Sequence, residues 1–155
     1  MIEIAFDDIE GLLAAATEEW SGWGPEFEMT QEKIDAFAEL TGDHQWIHVD
    51  EDRAKEEMPG SKTIAHGYLT LSMTPTMTAD FVKFENLEKA INYGLNKVRF
   101  TNMVPVNSRV RARSEVLKVR QRAGATQVIA QTTVEIENED KPACVAETVS
   151  FYYFQ

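Results

Sequence analysis

Residues 64–80 read IAHGYLTLSMTPTMTAD, and this stretch decides the fold. From 64 to 79 it contains no Asp, Glu, Lys or Arg. Leu69, Leu71, Met73, Met77 and Phe81 place apolar groups on most sides of a helix running from about Ala65 to near Asp80. Such a helix is buried on most sides. Pro75 falls inside it and should kink or loosen it.

Beyond Asn92 the periodicity changes from helical to alternating. Lys97, Arg99 and Thr101 alternate with Val98 and Phe100. Arg109, Arg111, Arg113 and Glu115 alternate with Val110, Ala112, Ser114 and Val116. The parity then slips to Leu117 and Val119, which is the mark of a β-bulge. Val128, Ala130, Thr132, Val134 and Ile136 form one face of the next strand, and residues 143–154 make a last strand, apolar on both faces. Gly124 and residues 138–141 supply turns. The expectation is one long antiparallel meander around one central helix, an α+β chain of the hotdog arrangement forming a single domain over residues 1–155. The remaining sheet edge would be open to pairing with a second copy, giving a homodimer or higher homo-oligomer.

Upstream, Ile9, Leu12, Leu13, Ala16 and Trp20 are at helical spacing, with Asp7 or Asp8 as N-cap. Gly22, Gly24 and Pro25 break that helix, and Phe27 and Met29 suit a short strand. Thr30 caps a helix from about Gln31 to Leu40, with Ile34, Phe37 and Ala38 inward and Gly42 as its stop. Asp50 caps a short acidic helix that Pro59 and Gly60 end.

Composition narrows the function classes. A chain of 155 residues with 43% hydrophobic content is enough for one proper core. The net charge of −11 argues against a nucleic-acid binder working by bulk electrostatics. Cys144 is the single cysteine, which excludes an intramolecular disulfide and a multi-cysteine metal site. The N-terminal MIEIAFDDIE lacks the basic region of a signal peptide, and no stretch reaches the ~20 apolar residues of a membrane span. A reducing, cytoplasmic setting is the expectation, with no membrane contact.

The chemistry-bearing residues crowd into 37–70. All three histidines lie there, His44, His48 and His66, and Asp43 stands five residues before His48. Gly67 sits in the first turn of the apolar helix. An acid and an imidazole at short spacing, next to a helix start with free N–H groups, suit acid–base chemistry on a substrate that develops negative charge. Each residue also has a plainer reading. Asp43 suits a turn after Gly42, and His48, flanked by Ile47 and Val49, suits a core position. His44 and His48 have the i, i+4 spacing of metal ligands, but the segment lies between helix stops and no third ligand stands at a convincing spacing. His66 is expected to shape the turn before Gly67. Between Lys97 and Arg122 lie eight of the fifteen basic residues and one acid, Glu115; they suit either a solvated strand face or a phosphate-bearing ligand.

TGDHQWIH followed by TIAHGYLT, with the later NYGLNKVRFTNMVPVNSRVR, resembles the MaoC-like dehydratases, and most closely the branch that includes nodulation protein N. The family groups (R)-specific enoyl-CoA hydratases with hydroxyacyl-thioester dehydratases. The resemblance implies a hotdog dimer that hydrates trans-2-enoyl thioesters of coenzyme A or acyl carrier protein, reversibly, to (R)-3-hydroxyacyl thioesters. It implies Asp43 and His48 as the acid–base pair and the Gly67 N–H as donor to the thioester oxygen. His66, Tyr68, Trp46, Ser72 and Arg99 are the residues expected around the substrate, and no metal or other cofactor is expected. Two positions depart from the family pattern. Gln45 and Trp46 stand where Asn-Pro is usual, and Ser72, Thr74 and Pro75 occupy the region that commonly gives a serine to support the aspartate. Two rival functions use the same shell, a non-catalytic acyl-thioester-binding subunit and a hotdog thioesterase. The second needs a carboxylate on the central helix, and residues 64–79 have none.

Overall fold

The computed structural model describes residues 2–4, 11, 19–122 and 124–155. The helix expected over Asp8 to Trp20 lies almost wholly outside them. Four long strands make the main sheet: β3 (Leu87–Arg99), β4 (Val110–Arg122), β5 (Ala125–Ile136) and β6 (Cys144–Phe154). Two shorter strands, β1 (Ile2–Ile4) and β2 (Val82–Phe84), pair in parallel beside it.

The main sheet is antiparallel in the order β3-β6-β5-β4. Only β4, β5 and β6 form a meander; β3 joins on the far side of β6, so the expected single long meander is corrected to a sheet with one crossover. The β-bulge does occur where the parity slips, with a register shift between Val116 and Lys118 against β5. Val128, Ala130, Thr132, Val134 and Ile136 are all buried, as their alternation requires.

The central helix is two short helices, α4 (Gly67–Ser72) and α5 (Thr74–Thr78). They meet at Met73, with Pro75 in the first turn of α5. Proline lacks the N–H and crowds the preceding turn, so the break falls where a proline puts it. Leu69 and Met77 enter the core with Val110, Ala112, Val134 and Ala146, so the sheet packs on the helix pair as a hotdog does. The opposite side is open: Tyr68, Ser72, Pro75 and Thr76 are exposed, so burial covers one side rather than most of the circumference.

The smaller helices follow their caps. Thr30 Oγ1 accepts from Lys33 N–H at the start of α1 (Gln31–Thr41), and Gly42 closes it at φ 82°. Residues 46–49 form a single turn, α2 (Trp46–Val49). Asp50 Oδ1 accepts from Arg53 N–H at 3.0 Å to begin α3 (Glu51–Glu57). Pro25–Phe27 is a 3-10 turn rather than part of a strand, and Glu28 makes one isolated bridge to Arg109.

The two sheet edges differ. On the β4 side, Ser21 N–H donates to Ala112 O at 2.8 Å, and Ala112 N–H donates to Ser21 Oγ at 2.9 Å. Among the described residues no strand covers β3, and Leu87, Ile91, Tyr93 and Leu95 stand exposed on it.

Candidate active site

Three separate elements bring Asp43, His48 and His66 together. Asp43 follows the Gly42 stop of α1, His48 lies on α2, and His66 is the N-cap residue of α4. One side-chain nitrogen or oxygen from each of the three lies within 4.8 Å of the others.

His48 is buried and held through both backbone and ring. Its Nδ1 is 2.7 Å from Ile64 O, and Ile64 N–H donates back to Ile47 O at 3.1 Å. A carbonyl oxygen only accepts, so Nδ1 carries the proton and Nε2 keeps its lone pair in the neutral ring. Burial pushes the His48 imidazole below its usual value near 6.5. The neighbouring His66 adds to that, while the bond to Ile64 and the Asp43 carboxylate act the other way. The ring is therefore neutral at pH 7, as a base must be.

His66 does more than shape a turn. It is 2% exposed, and its Nε2 donates to the backbone oxygen of Asp43 at 3.0 Å. Its ring stacks on His48, with centroids 3.8 Å apart and 22° between planes, and packs against Phe37 at 4.9 Å. It therefore ties the Asp43 loop to the face of His48. The Asp43 carboxylate is exposed and accepts from Gln45 N–H at 3.3 Å.

These three residues form the only potential metal-ligand group among the described residues, but their geometry does not suit a metal. Imidazole lone pairs lie in the ring plane. Two stacked rings with centroids 3.8 Å apart and planes tilted by 22° do not aim their lone pairs at one point within a coordination distance of ~2.1 Å. His44 lies elsewhere, exposed beside Glu39 at 3.7 Å.

Gly67 opens α4, whose first N–H groups have no intrahelical acceptor. It is needed for space: an added Cβ would sit 2.9 Å from two atoms of the Phe100 ring. A cavity of about 160 Å³ adjoins it, lined by His48, Gly67, Thr70, Phe100, Asn102 and Met103 among others. A larger cavity of about 300 Å³ lies between α5 and the sheet, walled by Thr74, Val128, Ala130, Thr132 and Tyr152 among others. The larger one holds neither His48 nor Gly67, which both line the smaller; Asp43 lines neither cavity.

The other expected residues are placed as follows. Tyr68 is exposed and sets its ring edge-on, at 5.8 Å, to Phe100, which lines the smaller cavity. Trp46, two residues before His48, stacks under the Arg53 guanidinium at 4.0 Å. Ser72 Oγ donates to Tyr68 O within its own helix, and Arg99 Nη1 donates to its neighbour Val98 O, so neither side chain is joined to the Asp43–His48–His66 group. Much of the basic run is engaged in the sheet. Arg109 pairs with Glu137 and Arg111 with Glu135 across the β4–β5 ladder, and Arg111 and Arg113 lie over Trp20.

Gln31 joins the site without having been expected. Its Nε2 donates to His48 O at 2.8 Å, and its Oε1 accepts from buried Thr63 Oγ1 at 2.6 Å. It fastens α2 to the strand-like approach to α4. The partners stand 17 and 32 residues away, and no local pattern in a sequence marks such bonds.

The MaoC-like domain family matches residues 15–139. The 3-hydroxyacyl-thioester dehydratase Z of Mycobacterium tuberculosis is 47% identical over 150 residues, covering 95% of this chain and 97% of that protein. Nodulation protein N of Rhizobium leguminosarum is 44% identical over 127 residues, 80% of this chain and 78% of that one. Among solved structures, the (R)-hydratase of A. caviae superposes with a TM-score of 0.65 at 22% identity, covering 79% of this chain and 87% of its own, which supports the hotdog fold. Matched along most of its length by sequence and by fold, the chain belongs to the family of MaoC-like dehydratase domains.

Proposed function

We propose that the protein is a carbon–oxygen lyase that reversibly hydrates trans-2-enoyl thioesters to (R)-3-hydroxyacyl thioesters, with Asp43, His48 and Gly67 as its working groups. The observation that carries this reading is the spacing of the Asp43 carboxylate and the neutral His48 ring, within 4.8 Å of each other. Two hydrogen bonds of about 2.8 Å meeting at a tetrahedral water span about 4.6 Å, a separation that lies within that bound and suits one shared water.

The steps balance on that water. The neutral Nε2 of His48 takes one proton as the water oxygen bonds to C3, while the Asp43 carboxylate holds the other. The C2=C3 electron pair moves into the thioester carbonyl, whose developing negative charge meets the Gly67 N–H. The His48 imidazolium then returns its proton to C2 on the same face, which gives syn addition. Dehydration is the reverse, with the same neutral imidazole removing the C2 proton. No metal or redox cofactor enters these steps; the thioester carrier, coenzyme A or acyl carrier protein, comes with the substrate.

The two cavities suggest how the acyl chain lies. Thr70 walls the smaller and Thr74, one turn on, walls the larger, so a chain activated at Gly67 would continue along the helix pair towards Ala130 and Tyr152. The β3 edge, which no strand covers among the described residues, and its exposed Ile91, Tyr93 and Leu95 support a homodimer paired through β3. Sedimentation should give twice 17.6 kDa, and charged substitution of Ile91 and Leu95 should give the monomer; a monomer before substitution would count against pairing.

Incubation with crotonyl-CoA and longer trans-2-enoyl-CoAs tests the reaction. Loss of the enoyl thioester absorbance with formation of the 3-hydroxy product is expected. Release of free thiol without hydration would point to a thioesterase, and binding without turnover to a carrier subunit.

A further inference from the structure

Among the described residues, two buried side-chain polar atoms lack a hydrogen-bond partner, His66 Nδ1 and Thr70 Oγ1. Both belong to the first turn around Gly67, and Thr70 lines the same cavity as His48 and Gly67. Thr70 is 2% exposed. A buried hydroxyl without a partner is costly. Two other threonines of the helix pair avoid that cost locally, Thr74 Oγ1 donating to Leu71 O and Thr78 Oγ1 to Thr74 O, and Thr76 is exposed. Thr70, on α4, makes no such bond, so its hydroxyl is left without a protein partner beside a cavity that the residue lines.

We infer that the Thr70 hydroxyl is a second donor to the substrate's thioester oxygen, acting with the Gly67 N–H in the reaction proposed above. Three features support the assignment. Thr70 lies three residues after Gly67, hence on the same helix face, and helical side chains lean back over the preceding turn. A hydroxyl can donate in a cavity where Phe100, Met103, Val104 and Ala143 give apolar walls beside His48 and Asn102. The thioester oxygen is the strongest acceptor at the reacting end of the substrate, and it gains charge as water adds. A donor in a dry cavity then bonds more strongly in the transition state than in the ground state.

Thr70→Val and Thr70→Ser test the inference. Valine keeps the shape and removes the hydroxyl; serine keeps the hydroxyl. The valine variant should lose about 10- to 100-fold in kcat, with KM changed little and the thermal midpoint not lowered. The serine variant should stay within a few-fold of the unchanged protein. The carbonyl stretch of bound butyryl-CoA, which has no double bond to hydrate, gives a second readout. Its shift to lower wavenumber should be smaller with valine and retained with serine. An unmoved carbonyl band and unchanged kcat in the valine variant would overturn the inference. So would parallel losses of activity and stability in both variants, which would mean packing, or an unmoved band with a perturbed His66 ring, which would mean that Thr70 serves His66. If the unchanged protein binds butyryl-CoA but hydrates no enoyl thioester, the proposed reaction fails, while the carbonyl band still decides the Thr70 contact. Failure to bind any acyl thioester would overturn both.

Discussion

The rings of His48 and His66 stack at 3.8 Å, and the two carbonyls they touch give them opposite tautomers. His48 donates from Nδ1 to Ile64 O, and His66 donates from Nε2 to Asp43 O. A second proton on His48 would place a cation against its stacked neighbour. The stack therefore favours a neutral His48 and, through the Asp43 backbone, fixes the loop that carries the acid.

This arrangement sets a pH dependence. The His48 value lies below 6.5, mainly through burial, and hydration needs the neutral ring. The acid limb of kcat/KM should therefore have its midpoint below 6.5, with a plateau at pH 7 and above. Stability follows the same group. With the folded value depressed, its contribution is fully present above the unfolded value near 6.5 and is lost as pH falls through the folded value. The thermal midpoint of the unchanged protein should fall more steeply between pH 7.5 and 5 than that of His48→Gln. Parallel curves would mean that His48 titrates alike in both states.

Gln31→Ala should harm both stability and turnover. It leaves Thr63 Oγ1 buried without its acceptor, at about 1–3 kcal/mol, or several degrees in thermal midpoint. It also frees the carbonyl of His48 from α1, so kcat measured well below the new midpoint should fall, by about tenfold or more. Full activity in the surviving folded fraction would show that α2 holds His48 unaided.

Helix caps and the β4 bulge were legible because each rests on neighbours in sequence: Thr30 with Lys33, Asp50 with Arg53, and the parity slip at Leu117. The start of β3 was not. Leu87, Ala90 and Ile91 fall at helical spacing, yet they belong to an edge strand whose side chains are exposed, so no core enforces alternation there. The break at Met73 was half legible: Pro75 announces a disturbance, and only packing decides that two helices result. In the candidate site, Asp43, His48 and Gly67 were legible as a motif. Gln31, Thr63 and the unpartnered Thr70 hydroxyl were not, because their roles depend on partners, or on a missing partner, set by the fold.

Gly67→Ala separates the two uses of the glycine. Its Cβ would meet the Phe100 ring at 2.9 Å, and Phe100 is exposed enough to yield. The single variant should lose activity with a modest drop in thermal midpoint, on the order of 1–3 kcal/mol or less. Adding Phe100→Ala should relieve the clash and restore the midpoint without restoring kcat, because the new methyl still crowds the Gly67 N–H. Recovery of kcat in the double variant would mean that the glycine serves only to seat Phe100.

Turnover and thermal midpoint of Asp43→Asn, His48→Gln and the double variant, measured together on an enoyl-CoA substrate, test the shared-water reading most directly. Each single change should cost at least ~10²-fold in kcat, and the double should cost little more than the worse single, since the two groups act on one water. Binding of an inert acyl-CoA should persist in all three. Well-folded single variants with full activity would contradict this reading, and so would losses that multiply in the double.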